Sequence, residues 1–488
     1  MVRTSRQARA LSGTLAAVLV LCTAVSAIRW YLSPNRLSGK STIDRTLLLA
    51  RSRLSLPPSA ETFALARSRA KDDDWTTFAH DDARTGFQRT QTGITKETVG
   101  HLRRRWLRSL NERVWSSPLA ADGLLYVATE EGNVYALDAA NGEVRWKRNV
   151  GTSVHMTPAL VDGRLLVGAY GRLGVTGEKP RDAALAALHP GSGALLWRTP
   201  LPGLVRSEPV VLHGIIYEGL AGGDAFSGCF QGSVIALDER TGKPTGARWH
   251  PTRKADNGGG VWGPLSTDGT RIYVGTGNTC SDLGGAEYGD SVVALSRDLR
   301  VLWHLSTRVP GVDDSDVGGG VALHGSRTYV AGKNGYLYAL DRATGHVLRR
   351  ADLAPWARNG GTTATPTGDG TMVIISDGER TDQNDDTKGP GSIVTAFDHE
   401  GRALYHFTTA GVVASSAAFI PGIGFLALDR RIVAFDAHTG TQLWSADLGD
   451  RAYPSPVVVA SGLYVVNDVG DVQAFGLSAD EFTAITKR

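Results

Sequence analysis

The chain has 488 residues, of which 42% are hydrophobic and 21% charged, and its formal net charge is +3. That balance excludes a disordered or collagen-like chain, and the charge is too small to argue for nucleic acid as a partner. Fifty-nine glycines and eleven tryptophans against three methionines favour an all-β architecture with many tight turns and a repeated aromatic anchor.

The N-terminus reads as an export signal. Arg3, Arg6 and Arg9 precede an apolar segment at about 10–28, and Val25, Ser26 and Ala27 are the small residues of a signal-peptidase site. At roughly nineteen residues the run is also long enough to span a bilayer. A cleaved signal and an uncleaved transmembrane anchor therefore both remain open over 1–28, and either would place the rest of the chain in an extracytoplasmic setting. A basic stretch at 29–74, rich in Arg, Ser and Leu, reads as a stalk that would tie the remainder of the chain to the membrane. Cys22 lies in the apolar run, Cys229 and Cys280 are far apart, and no Cys-x-x-Cys-His occurs, so a covalently attached c-type haem is excluded from this chain.

From Trp75 onward the sequence repeats. The unit is two apolar strands around a turn, then a signature of the form Ala-Leu-Asp-x-x-Thr-Gly-x-x-x-Trp. It appears as YALDAANGEVRW (135–146), AALHPGSGALLW (186–197), IALDERTGKPTGARW (235–249), VALSRDLRVLW (293–303), YALDRATGHVLR (338–349), TAFDHEGRALY (395–405) and VAFDAHTGTQLW (433–444). Alternating apolar residues make a strand buried on one face, and Asp with Thr-Gly makes the hairpin turn. Copies roughly 40 to 58 residues apart suit a four-stranded propeller blade. A broken eighth copy, QAFGL at 473–477, has no Trp-bearing strand after it, while a spare one ends at Trp106. The pair would close the ring and remove its exposed edges. The expectation is an all-β, eight-bladed propeller of four-stranded blades over 75–478, with a tail at 479–488. A seven-bladed ring capped by the last hairpin is the alternative.

The signature resembles the tryptophan-docking repeat of quinoprotein alcohol dehydrogenases, which use pyrroloquinoline quinone (PQQ), and of their non-catalytic relatives such as the outer-membrane assembly lipoprotein. The likeness runs from Trp75 to nearly the last copy and includes the lead-in DWTTFAHDDARTGFQ with ITKETVGHL. The repeat speaks for the fold and only weakly for function, so the residues at the cofactor positions must discriminate.

Several positions match that family's motifs. GGGVWGP places Trp262 where the family stacks a Trp beneath PQQ, and a flat indole offers a large dispersion surface to a flat quinone. YVGTGN places Asn278 as a calcium ligand, since hard cations take oxygen donors. Asp224, in GLAGGD, falls at the family's calcium-binding Glu but is one methylene shorter. Asp316, in VPGVDDSDVGG, stands at the catalytic base and borders the metal, with Asp313 and Asp314 close in sequence. Lys333, in AGKNGYLYALD, matches a cation that stabilises charge developing on the quinone, and Asn334 beside it joins the cofactor set. Lanthanide-using relatives carry an Asp where this chain has Gly318, which favours Ca²⁺.

The family's adjacent cysteine pair and its Asn-Arg-Gly loop have no counterpart, Arg172 lying in an unrelated context. The longer loops 171–183, 222–232 and 377–391 are expected over the channel mouth. The resemblance implies PQQ- and Ca²⁺-dependent oxidation of a small or polymeric alcohol, with a separate electron acceptor. The competing expectation is a propeller without quinone that binds proteins of the cell envelope.

Overall fold

The computed structural model describes residues 73–90, 92–172, 181–222, 230–253, 258–279, 287–309, 315–353, 364–369, 372–376, 392–409, 413 and 415–478. Expectations for the export segment, the stalk, the C-terminal tail, Asp224, Asp313, Asp314, Cys229, Cys280 and the 377–391 loop lie outside those residues. Among the described residues no helix is long and apolar enough to cross a membrane.

The repeat folds into antiparallel meanders. In the first, Leu119–Ala121, Leu124–Ala128, Asn133–Asp138 and Val144–Asn149 pair in sequence order. The burial of these strands follows their composition. The second and third, LLYVA and NVYALD, are almost wholly buried, whereas the fourth, VRWKRN, is mostly exposed. Apolar strands buried on both faces belong inside a stack of sheets, and charged strands form the rim. The same order recurs at 159–200, 266–306, 322–352 and 418–447, and at 204–249 with one extra short strand, Leu204–Val205.

The closing sheet is made by both ends of the propeller sequence. Strand Arg103–Ser109 pairs antiparallel with Asp471–Gly476, setting Trp106 opposite Ala474, so the spare Trp strand does complete the broken copy. The expectation of eight four-stranded blades is corrected. Among the described residues seven blades carry four strands or more, and the sheet at 372–408 carries three, Met372–Ser376, Ile393–Asp398 and Ala403–Thr408. The stretch in front of it, TATPTGDG, lacks the apolar alternation of an inner strand, and its described part forms none.

Neighbouring blades are joined by the signature's own residues. Trp106 Nε1–H donates to Ala139 O at 3.1 Å, Trp146 to Pro190 O at 2.7 Å, Trp197 to Glu239 O at 3.1 Å and Trp303 to Arg342 O at 3.2 Å, each on the next blade's turn. Each ring lies flat against that turn's Gly. At Gly142, whose φ is +73°, a Cβ would stand 2.7 Å from the Trp106 ring, so the Gly of the signature supplies both the left-handed turn and the landing place for the indole.

A second seam circles the inner ends of the blades. Ser455 N–H donates to Ser117 Oγ at 2.9 Å, Ser117 N–H to Thr157 Oγ1 at 3.1 Å, and Thr157 N–H to Glu208 Oε1 at 3.0 Å. On the other side Gly320 N–H donates to Thr365 Oγ1 at 2.7 Å, Thr365 N–H to Ser416 Oγ at 3.0 Å, and Ser416 N–H to Ser455 Oγ at 2.9 Å. These residues stand at one repeat position, just before each inner strand. The buried N–H of one blade is satisfied only by the side chain of the next.

Candidate functional site

The seam residues are preceded, two positions earlier, by a set of side chains that sequence reading passed over. Trp115-Ser-Ser-Pro118, His155-Met-Thr-Pro158, Arg206-Ser-Glu-Pro209 and Tyr453-Pro-Ser-Pro456 share this spacing, and Trp262-Gly-Pro264 is one residue shorter. The signal was present as a residue three places before a recurring Pro. It is invisible to a scan for the Asp-x-x-Thr-Gly signature, which lies on the opposite side of each blade's strands. Their contacts form an arc: Trp115 lies 6.5 Å from Tyr453 and 5.3 Å from His155, and Arg206 Cζ lies 5.5 Å from the Trp262 ring centroid. His155 also stacks on Tyr170, with ring centroids 4.2 Å apart and planes at 7°.

In the next blade the same position is Gly318, and this absence of a side chain holds Trp262 in place. The indole's six-membered ring lies so close that a Cβ at Gly318 would collide with it. Gly263 packs in turn on the backbone of Gly318 and Gly319. Two glycine-rich stretches, GGGVWGP and DVGGG, thus approach backbone to backbone, and the indole occupies the gap. Trp262 Nε1 is buried with no hydrogen-bond partner among the described residues, an orphaned donor of the kind that calls for an explanation.

Asp316 and Lys333 meet beside it. Lys333 Nζ donates to Asp316 Oδ2 at 3.2 Å and lies 5.1 Å from the Trp262 ring centroid. Their backbones are joined as well, Lys333 N–H donating to Asp316 O at 2.9 Å, while Val317 N–H donates to Thr276 O at 3.0 Å. Asp316 is buried, 5% exposed, and its carboxyl presses on Gly277, where a Cβ could not fit. Gly277 adjoins Asn278 in strand Gly277–Thr279, which pairs with Gly258–Gly260 next to Trp262. The backbone of the Asn278 strand therefore borders Asp316.

Asn334 departs from expectation. Its Nδ2 donates to Thr307 O at 2.5 Å and to the Tyr338 hydroxyl at 3.0 Å, and its Oδ1 accepts from Tyr336 N–H at 3.1 Å. A side-chain amide has two donors, and both are engaged within the protein. In this structure the Asn334 side chain braces the turn that presents Lys333.

The electrostatics around the arc are set by burial. His155 is pushed down to about 4, first by burial and then by Arg206 and Arg113, so it is a neutral flat ring at physiological pH. Arg113 is paired with Glu130 at 3.3 Å and Asp468 at 3.2 Å. Arg206 is exposed, and among the described residues it forms no ion pair. Among the described residues no three His, Cys, Asp or Glu side chains cluster as a metal site.

Taken together, the described part of the site is an indole floor with an orphaned donor, a carboxylate, two cations and a rim of aromatic rings. It suits a flat, anionic, aromatic molecule, with a base beside its edge.

The family model described as "Outer membrane protein assembly factor BamB" matches residues 82–178, 288–420 and 390–481, more than half of the chain. The polyvinylalcohol dehydrogenase of Sphingopyxis sp. (strain 113P3) is 25% identical over 398 residues, covering 67% of this chain and 60% of that protein. The quinohemoprotein alcohol dehydrogenase of Comamonas testosteroni is 26% identical over 359 residues, covering 59% of this chain and 48% of that protein. The chain thus spans less than two thirds of the length of either relative. Among solved structures, that of the Comamonas testosteroni enzyme superposes with a TM-score of 0.67 at 19% identity, covering 85% of this chain and 82% of that one. BamB from Moraxella catarrhalis gives 0.55 at 16% identity, covering 78% and 98%. At these identities the two superpositions show the fold alone. The family-model match, with docking Trp residues on the glycine turns of the repeat, establishes that this chain belongs to the PQQ-repeat propeller family, whose members include quinoprotein alcohol dehydrogenases and the BamB assembly factor.

Proposed function

We propose that the protein is an extracytoplasmic, PQQ- and calcium-dependent dehydrogenase that oxidises an alcohol. The observation that carries this reading is the meeting of Trp262, Asp316 and Lys333 at one end of the ring, although they come from three separate stretches of sequence. A scaffold would have no need of that convergence. PQQ, when bound, supplies a two-electron acceptor for the hydride of the alcohol carbon.

The residues of the chain supply the rest. Trp262 gives the stacking surface and holds the plane of the ring system, and the indole packs closely against the backbone at Gly318. Asp316 takes the proton of the substrate hydroxyl, its carboxylate held by the Lys333 ammonium and its backbone by the Lys333 N–H. Lys333, 5.1 Å from the indole centroid, faces the same space and stabilises negative charge arising there. Asp316, Asn278 and Asp224 would supply the oxygen donors that Ca²⁺ prefers, and the ion would act as a Lewis acid. The resemblance to a polyvinylalcohol dehydrogenase supports a substrate range that extends to polymeric alcohols. Electrons would leave to a separate acceptor, and the segment before the propeller would tether it to the membrane.

The family-model match to an assembly factor favours a second reading, a protein-binding propeller without quinone. Titration of PQQ into the purified chain with Ca²⁺, followed by tryptophan fluorescence and a dye-linked alcohol assay, separates the two. Asp316→Asn keeps the size and one oxygen but removes the base. It should still bind PQQ while turnover falls by roughly two to four orders of magnitude. Absence of PQQ binding by the unaltered chain at saturating Ca²⁺ would give the scaffold reading the field.

A further inference from the structure

Arg206 is the one cation of the arc that is exposed at the floor of the candidate site and has no carboxylate partner among the described residues. Its guanidinium carbon lies 5.5 Å from the Trp262 ring centroid, and Lys333 Nζ lies 5.1 Å from the same point. The two come from different directions in the ring. Arg206 lies in the blade at 204–249, between its strands Leu204–Val205 and Val210–Leu212, and Lys333 is on the hairpin turn of the blade at 322–352, with Trp262 and its blade between them. Lys333 is already engaged with Asp316, so the two cations have different work available to them. A guanidinium is a planar fork that can lie beside an aromatic face and take a carboxylate with two parallel hydrogen bonds, which an ammonium cannot do.

We infer that Arg206 is a cofactor-binding residue that reads a ring carboxylate of a planar aromatic polyacid seated on Trp262. This rests on the proposed PQQ reading and adds to it the residue that recognises the anion rather than the quinone. The position is one of a repeated set, and its counterparts are Trp115, His155, Tyr453, Trp262 and, without a side chain, Gly318, so where a side chain stands there it is flat, and Arg206 is the one flat cation among them. The same charge helps keep His155 neutral. Arg206 thus lies beside an uncharged imidazole, and no neighbouring ring competes for the anion.

The test compares two probes on the full chain: PQQ, and its trimethyl ester, which keeps the ring system and loses the three carboxylates. Binding is read by tryptophan fluorescence in the presence of Ca²⁺, with circular dichroism as the check on folding. For Arg206→Gln the affinity for PQQ should fall roughly 10- to 100-fold, the worth of a charge-assisted hydrogen-bonded pair. Affinity for the ester should be the same in both proteins. Arg206→Lys, which keeps the charge and loses the fork, should fall between them. An equal loss for PQQ and ester would make Arg206 a packing residue and overturn the inference, as would no loss for PQQ. If the unaltered chain binds the ester but Arg206 variants change nothing, only the Arg206 assignment falls. If it binds neither probe, the quinone reading falls with it.

Discussion

Glu218 stands in strand Ile215–Ala221, fully buried, with neither carboxyl oxygen hydrogen-bonded. Burial, reinforced by the nearby Glu208 carboxyl, pushes its pKa well above the carboxylate range. In the unfolded chain the group ionises near 4.5, so above that pH unfolding releases a proton the fold retains, and stability falls as pH rises. Glu218→Gln should therefore raise Tm more at pH 8 than at pH 4. His155 acts at the other end. Its pKa is about 4 against 6.5 in the unfolded chain, so protons bind the unfolded state first and stability is lost as pH falls from about 6.5 to about 4, by up to ~3 kcal/mol. His324, also pushed by burial to about 4, adds a loss in the same window. His155→Gln should flatten the acid side of the Tm profile. Melting curves of the two variants that run parallel to the unaltered chain from pH 4 to pH 8 would refute both assignments.

At the scale of the element, the inner seam depends on single hydroxyls. Removing the hydroxyl in Ser117→Ala leaves the Ser455 N–H buried and unpartnered while Ser117 still donates its own N–H to Thr157. An orphaned buried donor costs about 1–3 kcal/mol. Ser192→Ala, in an exposed turn, should cost almost nothing. Denaturant titration of the pair checks the difference, and equal midpoints would mean that the seam follows packing rather than holding it. Most of the elements were legible, because a period of two and an Asp-x-x-Thr-Gly turn specify a strand and a hairpin by local chemistry. The three-stranded form of the sheet at 372–408 was not, since one blade's quota of strands depends on a stretch without apolar alternation, and nothing in neighbouring copies marks it.

For the whole molecule, closure is the decisive contact. Strand Arg103–Ser109 covers the edge of Asp471–Gly476, and Trp106 packs on Gly142 of the first blade and near Tyr464, 6.1 Å away. A chain beginning after residue 110 would present an unpaired edge and an uncovered face of Tyr464. It should aggregate or melt over a broad range. A chain beginning at residue 72 keeps the strand and should remain soluble with one cooperative transition. Identical cooperative melts for the two would mean that the ring is held without its closing strand.

The sequence by itself determined the repeat, the Trp that ends its signature, and the return of the N-terminal Trp strand to the last copy, because these are encoded within a few residues or by a count of matching parts. It also singled out Trp262, Asp316 and Lys333 through their likeness to a family's motifs. Only the tertiary structure decided that these three converge, that the space for the indole comes from Gly318 in the next blade, that Asn334 braces a turn, and that Arg206 faces the same ring. Each of those facts depends on which blade lies beside which, and on the ångström-scale distance between their inner ends. Local sequence carries no record of that distance, because it is set by the packing of every sheet in the ring at once.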